Sequence, residues 1–228
     1  MKVAAIIPAG GQGVRMGGTQ AKQYLTLGDK PILRHTLEVF QSCGLIDSVI
    51  LSIPEADVVS VRREYLPDFM VLSAVVAGGA QRQDSVFNGF QAVDASAELI
   101  VVHDGVRPFA TREMIESVIR SAEQHGAAIV AVPLSDTLKR ADAEGRVKET
   151  IPRENLWRVQ TPQAFRRDVL ERAFQKAQED SFYGTDEASL VERLGLPVAI
   201  VTGSEMNIKV TRPEDLIIGE GILASRAE

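Results

Sequence analysis

The sequence predicts an α/β fold: a mostly parallel, twisted sheet with helices on both faces and a projecting β-hairpin arm. Three observations predict it. Short continuous runs rich in valine and isoleucine recur, as expected of strands buried on both faces. Segments with helical spacing of apolar residues lie between them, and that alternation favours parallel strands joined by helical crossovers. One polar, alternating stretch breaks the pattern and reads as a two-stranded ribbon.

The strand runs are Val3 to Ile7, Ser48 to Ile53, Met70 to Val76, Leu99 to Val102, Ala128 to Val132 and Val198 to Val201. The clearest helix is Thr111 to Gly126, where Met114, Ile115, Val118, Ile119 and Ala122 repeat at three and four. Thr111 is placed to cap its start and Gly126 to close its end. The arm spans Leu134 to Asn155, with Thr137-Leu138-Lys139-Arg140 and Arg146 to Thr150 as its two sides. A two-stranded ribbon is marginal alone, so it is expected to pack on a second subunit and make a homodimer.

At 228 residues the chain is expected to be one domain, 1–228, with 134–155 as the dimerisation arm. The 31 acidic and 25 basic residues give a formal charge of -6, which disfavours nucleic acid and anionic membranes as partners. Any phosphate ligand must therefore meet a local basic pocket. The single cysteine, Cys43, forms no internal disulfide and reads as a small core residue, and three histidines assemble no zinc cluster. No apolar run approaches the roughly 20 residues that span a bilayer. The start, Met1 to Pro8, reads as a strand and not as a signal peptide, so the cytoplasm is the expected compartment.

In open α/β sheets ligands bind at the carboxyl ends of strands. After the first run comes Pro8-Ala9-Gly10-Gly11-Gln12-Gly13-Val14-Arg15-Met16-Gly17, followed by Lys22-Gln23-Tyr24. The glycines let the backbone approach phosphate oxygens, and Arg15 and Lys22 add full positive charge. The pattern is neither a Walker loop nor the dinucleotide fingerprint. A glycine turn can also be a plain strand-to-helix connection, and the two cations favour the phosphate reading over it.

After the fourth run stands His103-Asp104-Gly105-Val106-Arg107-Pro108. Asp104 at a strand end suits Mg²⁺, which takes one or two carboxylates plus phosphate oxygens. Capping a turn or pairing with Arg107 is the plainer alternative. His103 reads as a local packing or hydrogen-bonding residue. In Gly78 to Ser85, Gly79, Ala80 and Ser85 can read a base edge, whereas Asp84 or Ser85 can equally be helix caps. Thr211 and Glu214 fit a capping box that opens the last helix, with Lys209 just outside it as a third phosphate-directed cation if it faces inward.

Taken together these segments resemble the 2-C-methyl-D-erythritol 4-phosphate cytidylyltransferases of non-mevalonate isoprenoid biosynthesis, over nearly the whole chain and in the same order. The specific parts are Ala9-Gly10-Gly11-x-Gly13-x-Arg15-Met16, Lys22-Gln23-Tyr24, Arg82-x-Asp84-Ser85-Val86 and Asp136-Thr137-x-Lys139-Arg140. Further along come Trp157 with Gln160-Thr161-Pro162-Gln163, Thr185 to Ser189, and Asn207-Ile208-Lys209-Val210-Thr211. The resemblance implies a Rossmann-like nucleotidyltransferase fold. By it, Arg15, Lys22 and Lys209 stabilise phosphate charge, Asp104 sits at Mg²⁺, and Ala9, Gly10, Gly79, Ala80 and Ser85 hold the cytidine of CTP. Thr137, Arg153 and Thr161 belong to the arm side of the pocket for a sugar-alcohol phosphate, with Arg107 near it.

The family usually has two alanines where Gly105 and Val106 stand, and an acidic residue is common in place of Ala80. The Gly-Val pair is similar to the ribitol 5-phosphate cytidylyltransferases, which makes ribitol phosphate the alternative acceptor. The implied reaction is in-line attack by a substrate phosphate oxygen on the α-phosphorus of CTP, with catalysis by positioning and charge stabilisation. A non-catalytic nucleotide sensor would lack the cations, and a glycosyltransferase would carry Asp-x-Asp where His103-Asp104-Gly105 stands.

Overall fold

The computed structural model describes residues 1–11 and 21–227. In chain order it contains β1 (Val3–Pro8), β2 (Thr26–Leu27), β3 (Lys30–Pro31), α1 (Ile32–Ser42), β4 (Ser48–Ile53), α2 (Val58–Tyr65) and β5 (Leu72–Ala77). There follow α3 (Arg82–Gln91), β6 (Leu99–Val102), α4 (Arg112–His125), β7 (Ala127–Pro133), β8 (Leu138–Ala141) and β9 (Val147–Ile151). The chain continues through β10 (Trp157–Arg166), α5 (Arg167–Glu179), α6 (Glu187–Arg193), β11 (Ala199–Thr202) and α7 (Pro213–Ala227).

Seven strands form the central sheet in the order β11-β7-β10-β6-β1-β4-β5. The pairings of β1 with β4 and β6, β4 with β5, and β7 with β11 are parallel, while β10 runs antiparallel to both β6 and β7. The expected mostly parallel sheet is therefore present, with one reversed strand near its middle.

Strand residues alternate between two cores, as the period of two requires. Val3, Ala5 and Ile7 of β1 face the cluster built with α1, α2 and α4, whereas Ala4 and Ile6 face the one built with α3, α5 and α6. Helix α4 shows how the sequence fixes its part of this packing. Thr111 Oγ1 accepts from Met114 N at 3.3 Å, and Gly126, at φ +87°, closes the helix by donating its N–H to Ala122 O at 2.8 Å. Between these ends Ile115, Val118, Ile119 and Ala122 are buried against the sheet, and each of the larger three contributes about 1.5–3 kcal/mol by leaving water. Cys43 is buried as expected.

A third cluster joins α7 to the β2–β3 hairpin through Leu27, Ile32, Phe109, Val210, Ile222 and Val106. The two residues of the Gly105-Val106 departure meet different surroundings. Val106 fills this cluster, and a Cβ at Gly105 would lie 2.8 Å from the Ala9 Cβ, inside ordinary contact.

Four expectations change. The run Val198 to Val201 reads as a strand buried on both faces, but β11 is an edge strand with Ile200 exposed. Met70 lies outside β5 and is almost fully exposed. Trp157–Arg166 has no place in the sequence reading as a strand, yet it is the longest one. At the start of α7, Asp215 rather than Glu214 closes the cap, accepting from Arg212 N at 2.8 Å and from Thr211 N and Oγ1 at 2.7 and 3.0 Å.

The arm is β8 paired antiparallel with β9, and nearly all its residues are exposed.

Candidate active site

Two adjoining cavities open at the carboxyl ends of the parallel strands. The larger, about 510 Å³, is walled by Pro8–Gly11 after β1, Gly79–Arg82 and Ser85 after β5, and Asp104 and Val106 after β6, with Lys22 and Lys209 also lining it. The second, about 230 Å³, is bounded by Arg107, Gln160, Thr161, Gln163 and the 185–186 segment. Arg82, Asp104 and Lys209 line both.

The glycine segments are shaped from beneath by Ser85. Its Oγ accepts from Gly79 N at 3.0 Å and donates to Gln81 O at 3.1 Å, pulling the 79–81 loop onto the first turn of α3. Asp84 accepts from Gln81 N at 2.9 Å, so the capping alternative holds for that residue. A Cβ at Gly79 would fall 2.2 Å from the Asp84 Cβ, so only glycine permits the loop to lie this close. Gly10 packs over the same hydroxyl, its virtual Cβ 3.6 Å from Ser85 Oγ, and Gly11 lies against the Lys22 side chain.

Asp104, 6% exposed, is the electrostatic centre. Arg82 Nε lies 2.9 Å from Oδ1, and Lys209 Nζ and Arg107 Nε lie 2.8 and 3.6 Å from Oδ2. Burial alone would raise its pKa, but Arg82, Lys209 and Arg107 hold it well below the usual carboxylate range. The plainer expectation, pairing with Arg107, is thus part of a larger cluster. Arg82 Nη1 also reaches both Glu187 oxygens at 2.9 and 2.8 Å. Glu187 is 1% exposed, and burial pushes its carboxyl up against the pull of Arg82. Burial opposes the Arg82 charge too, but the two carboxylates more than compensate and hold it protonated.

His103 is fully buried against Phe40, with ring centroids 5.0 Å apart. Its Nε2 lies 3.0 Å from Arg107 O, an acceptor, so the proton is on Nε2 and Nδ1 accepts from Thr161 Oγ1 at 3.0 Å. That hydroxyl in turn accepts from Asp104 N at 3.1 Å. Burial pushes the imidazole down to about 4, so it is neutral and structural.

Of the residues singled out in the sequence, Ala9, Gly10, Gly11, Lys22, Gly79, Ala80, Ser85, Asp104 and Lys209 come together around the first cavity. Arg107 and Thr161 face the second. Arg15 lies outside the described residues. Thr137 and Arg153 line neither cavity, being on the exposed arm, where Arg153 Nη1 donates to Ser135 O. Sequence reasoning assigned no role to Arg82 or Glu187, although both fall in motifs it singled out. Their link spans 105 positions and leaves no local signal.

The chain is similar to known proteins over nearly its whole length. The family model described as 2-C-methyl-D-erythritol 4-phosphate cytidylyltransferase matches residues 3–225. A protein of that name from Syntrophus aciditrophicus is 47% identical over 97% of this chain and 96% of its own, and one from Geotalea uraniireducens is 45% identical over 99% and 98%. Among solved structures, the 4-diphosphocytidyl-2C-methyl-D-erythritol synthase of Anaerococcus prevotii superposes with a TM-score of 0.86 at 32% identity, over 98% of this chain and 96% of that one. The Thermus thermophilus cytidylyltransferase gives 0.80 at 33%, over 98% and 100%. The chain belongs to the 2-C-methyl-D-erythritol 4-phosphate cytidylyltransferase family.

Proposed function

We propose that the chain transfers CMP from CTP to 2-C-methyl-D-erythritol 4-phosphate, giving 4-diphosphocytidyl-2-C-methyl-D-erythritol and pyrophosphate, with CTP in the larger cavity and the acceptor in the smaller. The observation that carries this reading is the wall of Arg82, Asp104 and Lys209 common to both cavities, which brings two phosphate-bearing ligands to one cationic boundary. A phosphate oxygen of the acceptor forms a bond to the α-phosphorus, and the bond from that phosphorus to the bridging oxygen breaks. Pyrophosphate leaves with the electron pair. The nucleophile is already an anion, so no general base is needed, which agrees with the neutral, fully committed His103.

Bringing two polyanions together is the main obstacle, and Lys22, Lys209 and Arg15 supply compensating charge. Asp104 holds Lys209 in place before the ligands arrive. Ala9, Gly10, Gly79, Ala80 and Ser85 form the nucleoside side of the cleft. Arg107 and Thr161 form the acceptor side.

Mg²⁺ would be held largely by the nucleotide's own phosphates. Asp104 is the carboxylate that would face it, in exchange for one of its ion pairs with Arg82, Lys209 and Arg107, and among the described residues no group of three or more histidine, cysteine or acidic side chains could hold a metal by itself. When bound, the ion neutralises charge on the triphosphate. No helix among the described residues is long and apolar enough to cross a membrane, and the reading places the enzyme in the cytoplasm.

A homodimer completes the site. Leu138 and Val147 on the arm, and Trp157 and Val159 at its base, are exposed apolar side chains that a partner would cover. Thr137 and Arg153 then serve the partner's acceptor pocket. Lys22→Ala tests the charge-stabilisation role. Single-turnover kinetics are expected to show the saturated rate falling about 100-fold to 1,000-fold, with a much smaller change in CTP affinity. A variant weakened only in CTP affinity would exclude a transition-state role for Lys22.

A further inference from the structure

Asn207 is fully buried although its segment, between β11 and α7, has no regular structure. Its Nδ2 donates to Gln160 Oε1 at 3.1 Å and to Thr161 O at 2.9 Å, while its main-chain carbonyl accepts from Arg107 Nη1 at 2.9 Å. Gln160 answers with Nε2 on Ser204 O at 2.8 Å. The segment lies so close to β10 and β7 at Gly203 that a Cβ there would be 2.5 Å from Gln160 Oε1 and 2.6 Å from Val130 Cγ1. Two residues beyond Asn207, Lys209 meets Asp104, and Val210 N donates to Val106 O at 2.9 Å.

One side chain therefore ties the segment carrying Lys209 to the part of β10 carrying Thr161. A lysine has a long, rotamer-rich side chain, and on an irregular segment its ammonium keeps one position only if its own backbone is held. Neither cavity is lined by Asn207, so it has no direct route to a ligand. We propose that Asn207 is a positioning residue, which through Gln160 and Thr161 fixes Lys209 over Asp104 at the boundary of the two cavities. This rests on the reading of Lys209 as a phosphate-directed cation.

The test is a double-mutant cycle of Asn207→Ala with Lys209→Ala, measuring kcat per folded molecule and KM for CTP and methylerythritol phosphate. Displacing a reacting group by about 1 Å can cost on the order of 100-fold. Asn207→Ala alone is expected to lower kcat about 10-fold to 100-fold, with KM for CTP changing less than about threefold. In the Lys209→Ala background the same change should lower kcat by less than about twofold, because the group it positions is gone. If Asn207→Ala does not fold, Gln160→Ala removes one anchor of the amide and is expected to give a loss of about fivefold that Lys209→Ala likewise masks.

An equal loss in both backgrounds, or a kcat per folded molecule unchanged by the Asn207 substitution, overturns the inference. Wild-type kcat in Lys209→Ala alone would instead remove Lys209 from the reaction, and the inference with it.

Discussion

His103 and Asp104 are neighbours whose environments push their protonation in useful directions. The histidine is fully buried, donates to a backbone carbonyl, and is held neutral down to about pH 4. The unfolded chain binds a proton there near pH 6.5, whereas the folded chain does not until about pH 4. Stability at this position is therefore intact above about pH 6.5 and lost as pH falls toward 4. Integrated between pH 7 and 5, the loss is roughly 2 kcal/mol. Urea unfolding at both values is expected to show the wild type weakened by that amount relative to the change in His103→Asn. Parallel pH dependence in the two proteins would mean that His103 is not held neutral. In the sequence, His103 was legible as a local residue because it is flanked by strand and turn, but its partner Thr161 lies 58 positions away. Arg82 was harder to see. Its two carboxylates come from the turn after β6 and from the first residue of α6, and only the folded chain brings them to one guanidinium.

Among the elements, the Gly78–Ser85 segment follows directly from its residues. Ser85 and Asp84 at the start of α3 bond back to Gly79 and Gln81, and the lack of a Cβ at Gly79 lets the loop close on the helix. Gly79→Ala places a methyl group against Asp84 and should open the loop on its cavity side. Isothermal titration is expected to show CTP binding weakened at least about 10-fold, with the melting temperature little changed because the loop is partly exposed. Unaltered CTP affinity would take this loop out of the nucleotide site. Strand β10 illustrates what sequence pattern hides. Gln160, Thr161 and Gln163 are polar yet buried, and proline in a central strand argues against strand assignment. Here Pro162 falls within the irregularity between Val159 and Gln163, where pairing with β7 shifts register. The buried amides are satisfied by Asn207, Asp186 and Ala188 instead. The runs in β1, β4 and β6 were legible because burial on both faces demands nearly continuous apolar residues, interrupted in β4 by Ser48 and the buried Ser52. Edge strand β11 resembles them in composition but not in setting.

At the scale of the whole molecule, two cores hold one sheet while the arm leaves it, carrying Arg153 away from its own cavities. If the arm serves a partner, an inactive Lys22→Ala chain mixed with an inactive Arg153→Ala chain should regain activity. One site of each mixed dimer then collects both lesions and the other none. Random exchange makes roughly half the dimers mixed, so about a quarter of all sites become intact. Turnover after co-refolding, with exchange verified by differential tags, is the measurement. Confirmed exchange without recovery would place Arg153 within its own chain's site or outside any site. The most direct test of the catalytic account is the product formed from CTP and Mg²⁺ with methylerythritol phosphate, in parallel with ribitol 5-phosphate, using mass spectrometry and pyrophosphate release. The account predicts one pyrophosphate for each 4-diphosphocytidyl-methylerythritol formed, and a kcat/KM for ribitol phosphate lower by at least about tenfold. Equal or better use of ribitol phosphate, or CTP binding without pyrophosphate release from either acceptor, would contradict it.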